Sequence, residues 1–139
     1  MLFRSPVYVV SGQDFSLTGV GFDRPNLVGD PFISHSNRAA MIQEFFNTNA
    51  FAPNQPGQYG TAGRNLFSGP NMVNTNISLV KSFPITERLG ELQFRSEFFN
   101  AFNQVNFGQP DGVLVNKTFG RIQTAADPRI VQFALRYRF

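Results

Sequence analysis

The 139-residue sequence has no cysteine, no tryptophan and a single histidine. Without cysteine there is no disulfide scaffold, no thiolate zinc site and no thiol nucleophile. No apolar run approaches the roughly 20 residues that a membrane-spanning helix needs. Charge of either sign is sparse: 12 Lys and Arg stand against 9 Asp and Glu, for a net charge of +3. Most of the cations are Arg, scattered along the chain, so no basic patch marks a nucleic-acid partner. The opening MLFRSPVYVV carries Arg4, but its apolar run is short and ends at Ser11-Gly12-Gln13, which is not the pattern of a secretory leader. The expectation is either a cytoplasmic protein or a piece whose natural start lies upstream.

Familiar site chemistry is equally scarce. His35, between Ser34 and Ser36, reads as a solvated loop residue. Asp14, Asp23 and Asp30 are too widely spaced for a calcium loop, and Gly19-Val20-Gly21 lacks the third glycine of a nucleotide fingerprint. Asn116-Lys117-Thr118 is a chance match to a glycosylation sequon. The reading is therefore a non-enzymatic chain with no catalytic residue, no metal and no cofactor.

What the chain does have is phenylalanine: 17 of them, with three Tyr and 12 Gly. Hydrophobic content of 42% and a mean hydropathy of −0.16 argue against both disorder and a helical membrane protein. Three stretches alternate with period 2, which sends successive side chains to opposite faces of a strand. In the last, 129–139, Val131, Phe133, Leu135, Tyr137 and Phe139 alternate with Gln132, Ala134, Arg136 and Arg138. In 90–102, Leu92, Phe94, Phe98 and Phe102 alternate with Glu91, Gln93, Arg95 and Glu97. In 71–83, Val73, Ile77, Leu79 and Phe83 share a face with Lys81, opposite Asn74, Asn76, Ser78 and Ser82. A fourth, weaker strand is expected at 6–11.

The connections are unequal. Residues 84–89 form a tight turn punctuated by Pro84, whereas 12–70 and 103–128 are long loops rich in Gly, Pro, Asn and Asp. Asn37 is placed to cap a short loop helix that brings Met41, Ile42, Phe45 and Phe46 to one side. The predicted fold class is all-β: four antiparallel, amphipathic strands with short turns at one end and long loops at the other. That asymmetry belongs to transmembrane β-barrels. Lumen-facing charges would be Glu91, Arg95, Glu97, Arg136 and Arg138, with the acids pairing across strands with Arg136 or Arg138. Lys81 breaks the pattern but lies near the turn, where its stem can snorkel. Phe83, Tyr137 and Phe139 at the turn end, and Phe98 and Phe102 at the loop end, fit two aromatic girdles. Four strands do not close, since the smallest such barrels have about eight; the expectation is the C-terminal piece of a larger barrel. The same alternation also describes a small soluble β-protein holding an apolar ligand against Phe94, Phe98 and Phe133.

Several segments resemble one family. They are TGVGFDRPNLVGDP at 18–31, YGTAGRN at 59–65 with Gly69-Pro70, SFPITER at 82–88 and LQFRSEFFN at 92–100. NFG at 106–108, FGRI at 119–122 and DPRIVQFAL at 127–135 complete the set. Together they resemble the C-terminal barrel region of the Oar-like TonB-dependent receptors, a family expanded in Acidobacteria, over nearly the whole chain. The resemblance implies a parent outer-membrane transporter of about 22 strands, with an internal plug and energy from TonB. It places the chain, residues 1–139, in the outer membrane as the last part of that barrel, not competent for transport by itself. Implied partners are outer-membrane lipid, the remaining barrel and plug, and TonB only through that plug. Val131, Phe133, Leu135, Tyr137 and Phe139 look like the terminal strand that the barrel-assembly machinery reads. An adhesion or secretion role for the parent would use the same loops.

Overall fold

Alternating chemistry and β-branched or aromatic side chains favour extended backbone, and three such stretches become the long strands of the computed structural model. The structure describes residues 2–86 and 90–139. In chain order its strands are β1 (Leu2–Phe3), β2 (Pro6–Val7), β3 (Asn26–Leu27), β4 (Phe51–Ala52), β5 (Phe67–Ser68), β6 (Met72–Val73), β7 (Ile77–Thr86), β8 (Gly90–Phe99) and β9 (Ile130–Arg138). One helix, α1 (Arg38–Gln43), and a 3-10 turn at Thr48–Ala50 lie between β3 and β4. The fold class is all-β, as predicted. The chain divides into a sheet unit, built from residues up to Phe3, Met72–Asn106 and Ala125–Phe139, and a loop unit, built from Arg4–Asn71 and Phe107–Thr124.

The sheet unit is organised by β7, β8 and β9, antiparallel and adjacent in that order, and it also holds β1 and β6, which pair with each other in a separate two-stranded sheet. Strand boundaries differ from the predicted ones in instructive ways. The stretch 71–83 breaks into β6 and β7, and β7 runs on through Pro84 to Thr86. Residues 87–89 of the expected turn lie outside the described residues. Gly90 opens β8 with a φ of 81°, and a Cβ there would lie 1.9 Å from the Arg138 carbonyl oxygen, so only glycine fits where β9 passes this close. At the other end β8 stops at Phe99 rather than 102. Asn100 turns left-handed, with a φ of 49°, and its side chain ties down the loop that follows.

The loop unit corrects two expectations. The strand expected at 6–11 is confined to β2, which pairs with β5 and not with the long strands. Its side chains alternate in burial, with Val7 and Val9 buried and Tyr8 exposed, and the segment packs a core rather than extending a ladder. Past Val7 the backbone bonds are taken by other loops: Val10 N–H donates to the Gly112 carbonyl at 2.9 Å, and Ser11 N–H to the Asp23 carbonyl at 2.6 Å. Second, most of the two long loops is a folded body with its own aromatic core. Phe46, fully buried, stacks on Phe67 at 4.7 Å between centroids and meets Phe51 and Phe119 edge-on at 5.6 and 5.2 Å. Val7, Val9, Ala50 and Ala62 complete this core, with Leu27, Phe45, Leu66 and Leu114 packed against it.

α1 is capped as expected, the Asn37 Oδ1 accepting from the Ala40 N–H at 2.9 Å, but the helix ends before Phe45 and Phe46. His35 is not merely solvated. It is half-buried, its Nε2 lies 2.8 Å from the Glu44 carbonyl oxygen beyond the helix end, and its ring stacks on Phe45. Asp14 and Asp111 each close a turn. Asp14 accepts from the Thr18 and Gly19 N–H groups at 3.0 and 2.7 Å. Asp111 accepts from the Val113 N–H, the Asn116 amide and the Thr118 hydroxyl at 3.0, 2.9 and 2.6 Å.

Two predictions follow from this unit. Truncating Phe46→Ala removes the centre of the aromatic cluster and should cost about 3–5 kcal/mol, read as faster proteolytic cleavage within 12–70 while a Phe22→Ala control stays unchanged. Burial pushes the Asp111 carboxyl up, but bonds from Thr118, Val113 and Asn116 outweigh it and hold the pKa below 3.8. A lowered folded pKa stabilises the turn above the ordinary carboxylate value, and that contribution is lost as pH falls through the folded value. Amide protection factors across 111–118 should therefore fall on acidification below about pH 4, and Asp111→Asn should abolish this pH dependence.

Candidate membrane-facing surface

A three-stranded sheet is amphipathic only if its strands agree on which face is apolar, because a slip of one residue inverts a strand. Here they agree throughout. The register aligns Ile77 with Phe98 and Val131, Leu79 with Ser96 and Phe133, Lys81 with Phe94 and Leu135, and Phe83 with Leu92 and Tyr137. These four rows form one face. The opposite face carries Ser78, Glu97 and Gln132, then Val80, Arg95 and Ala134, then Ser82, Gln93 and Arg136, and last Pro84, Glu91 and Arg138.

The apolar face is open. Phe133 and Leu135 are each 67% exposed, Leu79 60% and Tyr137 48%. Phe94 and Phe133, diagonal neighbours across the small Ser96, stack at 6.0 Å with their planes 19° apart. They lie on a surface and enclose nothing, so the apolar-ligand pocket expected against Phe94, Phe98 and Phe133 is not formed by these rings. An open apolar face of this size marks a site of interaction with lipid or protein.

Lys81 is the one charge on that face. Its Nζ lies 5.8 Å from the ring centroid of Phe83, the next residue on the face toward the turn end. The ammonium thus leans off the strand's middle, as a snorkelling side chain does. On the polar face the five sequence-predicted charges come together, with a different pairing from the one expected. Glu91 lies opposite Arg138 in the register, but Arg95 faces Ala134 and Glu97 faces Gln132. The ion pair that forms runs along β8, Arg95 Nη2 to Glu97 Oε1 at 2.6 Å, because alternate residues of one strand share a face. Gln93 Nε2 reaches the Ser82 hydroxyl at 3.4 Å across β7 and β8.

The residues 131, 133, 135 and 137 of the expected assembly strand share one face of β9, and Phe139 follows it, its ring 5.8 Å from that of Tyr137. β8 is paired on both sides, while β7 and β9 each present one edge without a strand partner among the described residues.

Residues 5–132 match the family model described as outer membrane beta barrel domain. The chain belongs to this family. No curated protein and no solved structure matches the chain. An outer-membrane barrel domain carries an apolar outward band on alternating strands, and the composition of the β7–β9 face is of that kind. Localisation is the outer membrane. Among the described residues no helix is long and apolar enough to cross a membrane, and no group of three or more acidic or His side chains is placed to hold a metal ion.

The barrel domain also uses residues that sequence reading passed over. Four asparagines stitch the loop end of the sheet. Asn76 Oδ1 accepts from the Asn100 N–H, Asn100 Nδ2 donates to the Gln104 and Asp127 carbonyls, and Asn103 Oδ1 accepts from the Arg129 N–H. Asn106 both accepts from the Val73 N–H at 2.7 Å and donates to the Val73 carbonyl at 2.9 Å, imitating a strand partner. The available signal was the spacing of Asn100, Asn103 and Asn106 just after an alternating run, since asparagine tolerates left-handed backbone and bonds to it locally.

In lipid vesicles, Phe133→Arg in the barrel containing these strands should lower folding stability by about 2–4 kcal/mol. Gln132→Arg, one residue away on the polar face, should change it by about 0.5 kcal/mol or less. Urea titration followed by heat-modifiable gel mobility distinguishes the two.

Proposed function

We propose that this outer-membrane barrel domain is the C-terminal part of an Oar-like TonB-dependent receptor, contributing the last strands of a larger transport barrel and no catalysis. The observation that carries the reading is the agreement of the three long strands on a single apolar face, with an edge on each side that has no strand partner among the described residues. Backbone polar groups in hydrocarbon must be paired within protein, so the edges of β7 and β9 call for further strands. The segments at 18–31, 82–88 and 127–135 supply the resemblance to that receptor type.

In this arrangement Glu91, Arg95, Glu97, Arg136 and Arg138 face the barrel interior, on the same side as the Gln93–Ser82 bond that links β8 to β7. The outward rows meet lipid acyl chains. The terminal residues Val131, Phe133, Leu135, Tyr137 and Phe139 form the strand that the assembly machinery engages: an exposed edge offers main-chain hydrogen bonds, and alternate side chains fill pockets. The rest of the barrel, the plug and, through the plug, TonB are the other partners. Nothing in the set of side chains calls for a cofactor.

The test is to direct the chain to the periplasm alone and fused behind the preceding strands of an Oar-like barrel. The fusion should give a heat-modifiable, protease-resistant outer-membrane species, and the chain alone should not. Deleting Phe139 from the fusion should slow its assembly severalfold. A chain that is monodisperse in water without detergent, with Phe133 and Leu135 protected from solvent, would overturn the reading.

A further inference from the structure

The loop unit contains a cleft of about 1090 Å³ whose chemistry the membrane reading does not use. Its lining is largely apolar, and into it come Arg24, Arg64, Tyr8, Phe22 and Tyr59. The three rings are exposed, at 61%, 71% and 72%, unlike the buried phenylalanines of the core in the same unit. We propose that this cleft is a binding site for a small aromatic anion, a flat apolar body bearing a carboxylate or phosphate group.

The charge balance selects an anion. Asp23 is the one acidic residue of the lining, and it is buried with both oxygens engaged: Oδ2 accepts from the Ser16 N–H at 2.7 Å and Oδ1 from the Ser16 hydroxyl at 2.9 Å. The two guanidinium groups are not neutralised by it. Arg24 commits one nitrogen, Nη1, to the Ala62 carbonyl at 2.9 Å, which fixes the side chain and leaves its other donors available. Arg64 has no partner among the described residues. A guanidinium matches the two oxygens of a carboxylate or phosphate with parallel donors, and it also stacks on flat rings. Tyr and Phe faces beside it suit an aromatic body.

The walls are pre-organised, which lowers the cost of binding. A Cβ on Gly60 would lie 1.9 Å from the Arg24 carbonyl oxygen and 2.4 Å from that of Pro25, so the 59–62 segment lies directly on the chain carrying Arg24. Ala62 N–H donates to the Pro25 carbonyl at 3.0 Å, and Asn54 Nδ2 to the Arg24 carbonyl at 2.9 Å. On the other wall a Cβ on Gly112 would stand 2.4 Å from the Tyr8 carbonyl oxygen, and Leu114 N–H donates to the Val10 carbonyl at 2.9 Å. Two glycine-dependent backbone contacts thus hold the rings and the cations at one mouth. The site lies wholly within the loop unit and is independent of the number of strands in the barrel.

The test uses the chain fused behind the preceding barrel strands and folded in detergent micelles, with benzoate, phenyl phosphate and neutral benzamide as probes. The readout is the backbone amide NMR signals of Gly60 and Gly112, which report the cleft rather than micelle partitioning. Benzoate or phenyl phosphate should shift both signals saturably, with benzamide at least about tenfold weaker. The tighter of the two anions identifies the preferred oxyanion. Arg64→Gln should weaken the anion about tenfold, and Arg64→Lys should restore only part of it, because an ammonium does not reproduce the paired donors. Arg24→Gln removes the bond to Ala62 and can disturb folding, so the partnerless Arg64 decides. Equal shifts from benzamide, unchanged anion binding in Arg64→Gln, or no shift from either anion up to about 10 mM would each overturn the proposal.

Discussion

The register of β8 against its two neighbours is the constraint on which the rest of the sheet depends. β8 is the central strand, so each of its side chains is judged twice, once against β7 and once against β9. Leu92, Phe94 and Phe98 find apolar partners or a lysine stem on both sides, and Gln93 and Glu97 find polar partners on both sides. One residue of slip against β9 would place Arg95 and Glu97 among Phe133 and Leu135, and one against β7 would place them beside Leu79. In hydrocarbon such a slip costs about 2–4 kcal/mol for a displaced arginine and less for a glutamate, more than a slip on a solvated sheet.

The loop unit is held together differently. Its strands are two residues long, too short to carry a ladder, and its stability comes from aromatic rings around Phe46 and from backbone bonds between distant segments. The aromatic content therefore serves two purposes that composition alone merges. Phe46, Phe51 and Phe67 are buried and fill a core, while Phe133, Tyr137 and Phe139 stand on an open face or at its end. A third set, Tyr8, Phe22 and Tyr59, is exposed around a cleft that also holds two arginines. Side-chain chemistry is shared by all three sets, and surroundings assign their roles.

Asparagine does for the loop end of the sheet what glycine does at the turn end. Gly90 fits because β9 leaves no room for a Cβ, and Asn100 and Asn103 fit because their amides satisfy the backbone groups that the end of a strand leaves open. The sheet is thus terminated on both sides by residues chosen for backbone reasons, and the charged side chains between them are free to form the along-strand pair of Arg95 and Glu97.

The amphipathic strands were legible from the residues alone because a period of two is a local property: Val131 to Tyr137 alternate whatever they pair with. The helix cap at Asn37 was legible for the same reason, its bond to Ala40 spanning three residues. The fate of Val7 and Val9 was not, because a short apolar run marks an extended chain without saying whether a ladder or a core receives its side chains. Nor was the pairing of Glu97, since a sequence names the charges on a face while register decides which of them meet. The cleft was the least legible of all. Arg24 and Arg64 are 40 positions apart, and only the close contact of the 24–25 and 59–62 segments, permitted by Gly60, brings them to one mouth. Local periodicity is written in the chain, whereas neighbours across long loops are decided when backbone groups and aromatic rings find partners that no short stretch contains.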